Sequence, residues 1–198
     1  MPVTPLMLIR CEEQLFNPDK KVVLKKKWMP LKEISTAMPL AVIAAEDQNF
    51  EEHFGFDFKA IKKAGEYNSR HKGKRVKGAS TITQQTAKNV FLVPSRSWIR
   101  KGFEVYFTFL IEVFWSKKRI MEVYLNVIET GEGIYGTEAA AKEFFHKPAK
   151  KLSLREASLI AAVLPNPRKW SPAKPTPYIQ KKSGRIMYFM SRLDAKDF

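Results

Sequence analysis

The chain has 198 residues, 44% of them hydrophobic and 12% aromatic, which is enough to bury one core with a small subdomain and too apolar for a disordered chain. Its 35 Lys and Arg against 20 Asp and Glu leave a net charge of +15, which favours anionic partners: nucleic acid, an acidic membrane surface or phosphate-bearing substrates. The single Cys11 excludes an internal disulfide, and no apolar run is long enough to span a bilayer.

The first ten residues are too short and carry too many prolines for a signal peptide, and are expected to trail a segment removed from a longer protein. Residues 1–38 read as an extended lead-in with a basic tract, Lys20-Lys21 and Lys25-Lys26-Lys27-Trp28. That composition fits a solvated face or a membrane-interface segment. Next, Pro39 opens an Ala-rich run that predicts a helix over about 39–53, with Glu46, Phe50 and His53 on one face. A carboxylate at Glu46 would stand where a buried helix meets a cleft, and desolvation can raise such a pKa until the group works as a base. The competing reading is a helix end carrying solvated acids.

Phe54, Phe56 and Phe58 follow, then a stretch to Gly78 dense in Lys, Arg and His, of which residues 66–78 read as a loop. Thr81 and Gln84 match a capping box, and the helix they open carries a polar stripe of Thr81, Gln84, Gln85 and Lys88, with Ile82, Ala87 and Val90 facing elsewhere. Ser97 caps a long helix with Ile99, Phe103, Tyr106, Phe107, Leu110 and Phe114 at helical spacing and Arg100 and Glu104 as i,i+4 partners. This helix is too apolar to be expected open to solvent. Ser116 breaks or restarts it before Lys117–Asn126. The segment Thr130–Gly136 reads as a Gly-rich loop, and Thr137 as the cap of the next helix. Ser153 and Glu156 form a second capping box, on a helix stopped by Pro165 and Pro167. Thr176-Pro177 starts the last helix, with Ile179, Ile186, Met190 and Leu193 as its buried stripe. No convincing strand is found over 39–198, so the expected fold class is mainly α.

Three polar constellations sit on these otherwise apolar helices, where local rules are expected to yield to function. They are Glu46 with Asp47, the Thr/Gln/Gln/Lys stripe, and Arg96, Arg100, Lys101 with Glu104. The third, taken alone, is an ordinary i,i+4 ion pair. Together they predict two carboxylates and a cation cluster on one cleft, a set suited to displacement at a sugar carbon bearing a phosphate leaving group. One Glu would deprotonate the attacking hydroxyl, and fixed cations would stabilise the departing oxyanion.

The residues that carry a resemblance are Glu46–Gly55, Gly78–Asn89, Arg96–Glu104, Lys118–Asn126 and Gly133–Phe145, five motifs in order within about residues 37–170. With them the chain resembles the peptidoglycan glycosyltransferases, most closely the monofunctional biosynthetic transglycosylases of Gram-negative bacteria, and the glycosyltransferase domain of bifunctional penicillin-binding proteins. The resemblance implies a lysozyme-like α-helical head over 39–198, with residues 54–78 as a smaller membrane-facing jaw. It also implies polymerisation of lipid II into β-1,4-linked glycan, with inversion at the donor anomeric carbon and release of undecaprenyl pyrophosphate. Glu46 would be the base on the acceptor 4-hydroxyl and Glu104 would assist at the donor. Lys88 and Arg96 would hold the pyrophosphate, with Ser80, Thr81, Gln84, Gln85, Asn89, Arg100 and Lys101 lining the same cleft. His53 and Asn126 read as structural.

The chain departs from the family at Ala79, Thr86 and Phe103, the last replacing a Lys seen in many relatives and leaving one cation fewer near Glu104. The implied partners are lipid II, the growing strand, a membrane surface and the cell-wall or division machinery, with no nucleic acid. The implied location is the periplasmic face of the inner membrane, held by an N-terminal anchor that this chain does not contain. No cofactor is required by the sequence, and a divalent cation (Mg or Mn) is left open. Two rivals stand beside this expectation. One is a lytic enzyme, since paired carboxylates also cleave glycosides; the other is a nucleic-acid-binding module resting on charge alone.

Overall fold

A computed structural model describes residues 3–19, 21–71, 76–94 and 97–193. Nine α-helices and a three-stranded sheet are found among them, in keeping with a mainly α chain. The core is a layered pack of α2 (Ala37–Glu46), α8 (Leu154–Val163) and α9 (Pro177–Met190), joined by α6 (Lys117–Val127). α2 and α8 pack together, and the alanines Ala41, Ala44, Ala157 and Ala161 on them are all buried. Residues that small bring the two backbones close, so α2 has no solvent face along most of its length.

α4 (Ile82–Phe91) is the hub of the other half of the molecule, packing on α5 (Trp98–Phe114), on α6 and on α1 (Pro5–Leu15). Its predicted capping box is present, with the Thr81 hydroxyl accepting the Gln84 N–H at 3.2 Å and the Gln84 side chain accepting the Thr81 N–H at 3.0 Å. The second capping box, Ser153 with Glu156, and the cap at Ser97 also form as the sequence predicts, and α6 and α9 start where it expects, with the Ser116 and Thr176 hydroxyls as their caps.

Several elements differ from expectation. The lead-in is not extended throughout: Thr4 caps α1, with Pro5 at its first position, and a 3-10 turn spans Leu31–Glu33. The predicted helix over 39–53 begins at Ala37 and stops at Glu46, so Phe50 and His53 do not share a helical face with it. The cause is Asp47, whose extended backbone turns its carboxylate onto the N–H of Ile82 at 3.0 Å, at the positive end of α4. His53 Nε2 lies 2.9 Å from the same carboxylate. α3 (Phe58–Arg70), capped by Asp57, converts part of the predicted 66–78 loop into helix, while residues 72–75 lie outside the described part. At the other end of the chain, Gly136 rather than Thr137 caps α7 (Thr137–Phe145), and Leu193 falls beyond α9, which ends at Met190.

The segment read as a Gly-rich loop is a hairpin of β2 (Glu129–Gly131) and β3 (Ile134–Tyr135), with β1 (Lys25–Lys26) added in parallel to β3. Gly133 makes the close approach possible. Its φ is +69°, and a Cβ there would lie 2.2 Å from the Val23 carbonyl oxygen. Gly133→Ala should therefore destabilise the protein by about 2–5 kcal/mol, from left-handed strain plus overpacking, read as a lower urea midpoint.

Candidate active site

Glu46 ends α2 where the helix emerges from the core, and its side chain is half-buried. One carboxylate oxygen accepts from Gln85 Nε2 at 3.0 Å, and the Gln85 Oε1 accepts from the Tyr124 hydroxyl at 3.2 Å. Tyr124 is fully buried, and desolvation first, then the charges of Glu46 and Asp47, push its pKa well up. It therefore stays a neutral donor and orients the Gln85 amide, which leaves that amide's N–H to face Glu46. Three elements thus fix one carboxylate, while its remaining lone pairs are left for a proton.

Asp47 next to it is a strut. It is buried, and its bonds to Ile82 and His53 hold the α2–α4 corner. Lys117 braces the same corner, donating to the His53 carbonyl at 2.6 Å and to Glu112 at 2.8 Å while lying over the Phe50 ring. Asn126 ties down the lead-in, bonding both the N–H and the carbonyl of Met29 at 2.8 Å. His53 and Asn126 thus act in packing, consistent with the sequence reading.

A cleft of about 530 Å³ opens beside Gln85. Its cationic wall comes from Lys88, one turn after Gln85 on α4, and from Arg100 in the first turn of α5. Asn89 and Tyr124 also line it, over a floor that includes Leu92, Leu164 and Pro165. Burial lowers the Lys88 pKa, with Glu104 and Glu46 opposing that fall and Arg100 and Lys101 adding to it. A partly desolvated ammonium among other cations lacks a full counter-charge, which is the condition that favours a polyanionic ligand. Glu104 is only 3% exposed and receives Arg100 at 2.8 Å and Lys101 in a short ion pair. Its role in this geometry is to hold two cations in place.

The structure thus brings together Glu46, Gln85, Lys88, Asn89, Arg100, Lys101 and Glu104. Thr81 and Gln84 are buried in the capping box, with the Thr81 hydroxyl on the Gly55 carbonyl, and neither lines the cleft. Ser80 is exposed just before them, also outside the lining, and Arg96 lies outside the described residues. Sequence reasoning missed Tyr124, quoted within a motif without a role, and Lys182 on α9, whose pKa is lowered by burial and raised by the charge of Glu46. It missed Arg10 and Glu129 as well, both of which line the cleft. Among the described residues no group of three or more His, Cys, Asp or Glu is placed to hold a metal.

The protein is a mainly α domain with a cleft walled by the cations Lys88 and Arg100, and the carboxylate of Glu46 is bonded to its lining residue Gln85. Residues 15–191 match the family described as Transglycosylase. Among curated relatives, the biosynthetic peptidoglycan transglycosylase of Bacteroides thetaiotaomicron is 57% identical over 189 residues, covering 96% of this chain and 75% of the relative. That of Bdellovibrio bacteriovorus is 56% identical over 187 residues, covering 94% and 74%. That of Yersinia pseudotuberculosis is 50% identical over 201 residues, covering 100% and 83%. The chain belongs to the transglycosylase family, and is an enzyme with that family's lysozyme-like glycosyltransferase fold.

Proposed function

We propose that this enzyme builds peptidoglycan by polymerising lipid II into β-1,4-linked glycan, with inversion at the donor anomeric carbon and release of undecaprenyl pyrophosphate. The observation that carries the reading is the bond from Gln85 on α4 to Glu46 at the end of α2, one turn before Lys88, which sets a base beside a leaving-group site where the two helices meet. Glu46 takes the proton from the acceptor 4-hydroxyl as that oxygen attacks the donor C1. The C1–oxygen bond to pyrophosphate breaks, and the charge it leaves is met by Lys88 and Arg100. Attack from the face opposite the leaving group gives inversion. Arg96 is assigned to the same pyrophosphate by the motif resemblance, and Glu104 positions Arg100 and Lys101. Thr81 and Gln84 support the wall indirectly, through the cap of α4 that Ser80 precedes. A divalent cation used here would be held chiefly by the substrate phosphates, since hard cations seek oxygen ligands.

A lytic reading needs a second carboxylate free to act. The engagement of Glu104 with two cations favours transfer over hydrolysis. Incubation with labelled lipid II, followed by sizing, tests the proposal: a ladder of glycan strands is expected, and cleavage products without coupling would overturn it.

Membrane docking at the periplasmic face follows from the substrate, whose polyprenyl chain stays in the bilayer. No helix among the described residues is long and apolar enough to cross a membrane. The support for a surface mode comes from α5, which the sequence pattern had placed away from solvent. Its outer face bears Trp98, Ile99, Phe103, Tyr106, Phe109 and Phe114, all exposed, with Trp98 at 92%. Phe54 packs edge-on against Phe109, and Phe58 is 75% exposed at the start of α3, followed by Lys59, Lys62 and Lys63. Apolar rings flanked by cations are the makeup of an interfacial segment. The paired change Phe58→Ser and Trp98→Ser should weaken sedimentation with anionic vesicles by about tenfold or more while leaving the melting temperature unchanged. Equal vesicle binding would place the membrane contact elsewhere.

A further inference from the structure

A second groove, of about 600 Å³, shares no lining residue with the cleft. Pro30 and Leu31, at the end of the lead-in, give it apolar surface. Its cations are Lys118 and Arg119 in the first turn of α6, with Lys32 and Lys150. Glu122 also lines it, two residues before Tyr124 on α6, a spacing that turns two side chains about 200° from each other. Tyr124 lines the cleft, so the two openings lie on opposite sides of α6.

The groove's charge is unbalanced: four cations line it against one acid. That acid is already engaged, since Glu122 receives the Arg119 guanidinium on one oxygen and accepts the Leu31 N–H at 2.9 Å on the other. Lys32, Lys118 and Lys150 are exposed and have no carboxylate partner among the described residues. Lys150 donates to the Lys32 carbonyl, a neutral acceptor that leaves its charge unmatched. Arg119 lies over the Trp28 ring, its Cζ 5.5 Å from the ring centre, which fixes the direction of its fork. The lysine stems add further apolar surface beneath their charged heads.

The complementary ligand carries several negative charges spaced along an extended backbone, with an apolar side chain among them. An acidic peptide has that chemistry. A neutral glycan would leave the cations unmatched. A bilayer would be met through the exposed rings of α5 and of Phe58, none of which lines this groove.

We propose that the groove between the lead-in and α6 docks an acidic, leucine-bearing segment of a partner protein, on the side of α6 away from the cleft. Lys32, Lys118 and Lys150 meet its carboxylates, and Pro30 and Leu31 receive its leucine. The docking site is independent of the reaction assigned to the cleft.

The test uses the whole chain and a fluorescein-labelled peptide of glutamates around one central leucine, followed by anisotropy at physiological salt, where loose charge attraction is screened. Wild type should bind it, and Lys32→Glu and Lys118→Glu should each bind roughly tenfold more weakly. A glutamate in the first turn of α6 suits the helix dipole, so Lys118→Glu should keep the fold and the wild-type rate of lipid II polymerisation. Lys88→Ala, which alters the cleft, should bind the peptide like wild type. Equal binding of a peptide with serine in place of the leucine would reduce the groove to bare charge and overturn the proposal. So would unchanged binding by both charge reversals, or loss of binding in Lys88→Ala. Charge reversals that lower sedimentation with anionic vesicles but spare the peptide would make the occupant a lipid surface instead, and overturn it as well.

Discussion

Glu46→Gln should fold and bind lipid II like wild type yet polymerise it about 10²–10⁴-fold more slowly, the usual worth of a positioned general base. The substitution preserves size and keeps an oxygen to accept from Gln85 Nε2, which holds Glu46 at 3.0 Å. What it removes is the capacity to take a proton. The matching control is Asp47→Asn. Its loss should fall on stability, because Asp47 bonds the Ile82 N–H and sits against His53 at the α2–α4 corner. Measured kcat for Glu46→Gln within a few-fold of wild type would move the base to another residue.

Lys88→Ala carries the second largest expected effect, a loss of about 10²–10³ in kcat, as for removal of one preorganised group that meets charge developing in the transition state. Lys88→Arg keeps the charge but exchanges a compact ammonium for a broad planar fork, so only partial recovery is expected. The pH profile separates the two roles of this side chain. Burial lowers its pKa, so the charged form is complete at lower pH and is lost as pH rises through a value below that of an ordinary lysine. Pyrophosphate affinity should fall along that limb in wild type and stay flat in Lys88→Arg, whose guanidinium remains charged. A limb unchanged by the Arg substitution would assign the titration to another group.

The helix starts were legible because their signals are local. Thr81 with Gln84 and Ser153 with Glu156 satisfy their orphan donors within three residues, and Thr176-Pro177 does so in the same short range. Thr4-Pro5 carries the same signal as Thr176-Pro177 and opens α1, so that helix was readable and overlooked. The chemistry-bearing residues were legible as types in order: an acid after an apolar helix, a Gln and Lys stripe, and cations three and four residues before a second acid.

Local signals along the chain settle a mainly α protein, the places where most of its helices begin, and the set of groups from which a cleft is built. The tertiary structure alone decided where α2 ends, since Asp47 leaves the helix for an N–H 35 residues away. It alone decided that Gln85 joins Glu46 to Tyr124, across 39 residues on either side. The same holds for Glu129 facing Arg10 and for the open apolar face of α5, whose pattern matches that of a buried helix. The reason is physical: a cap or a helical stripe is settled by neighbours within about one turn. Which way a chain stops, and which face meets water or lipid, depends on groups brought near only when the elements pack.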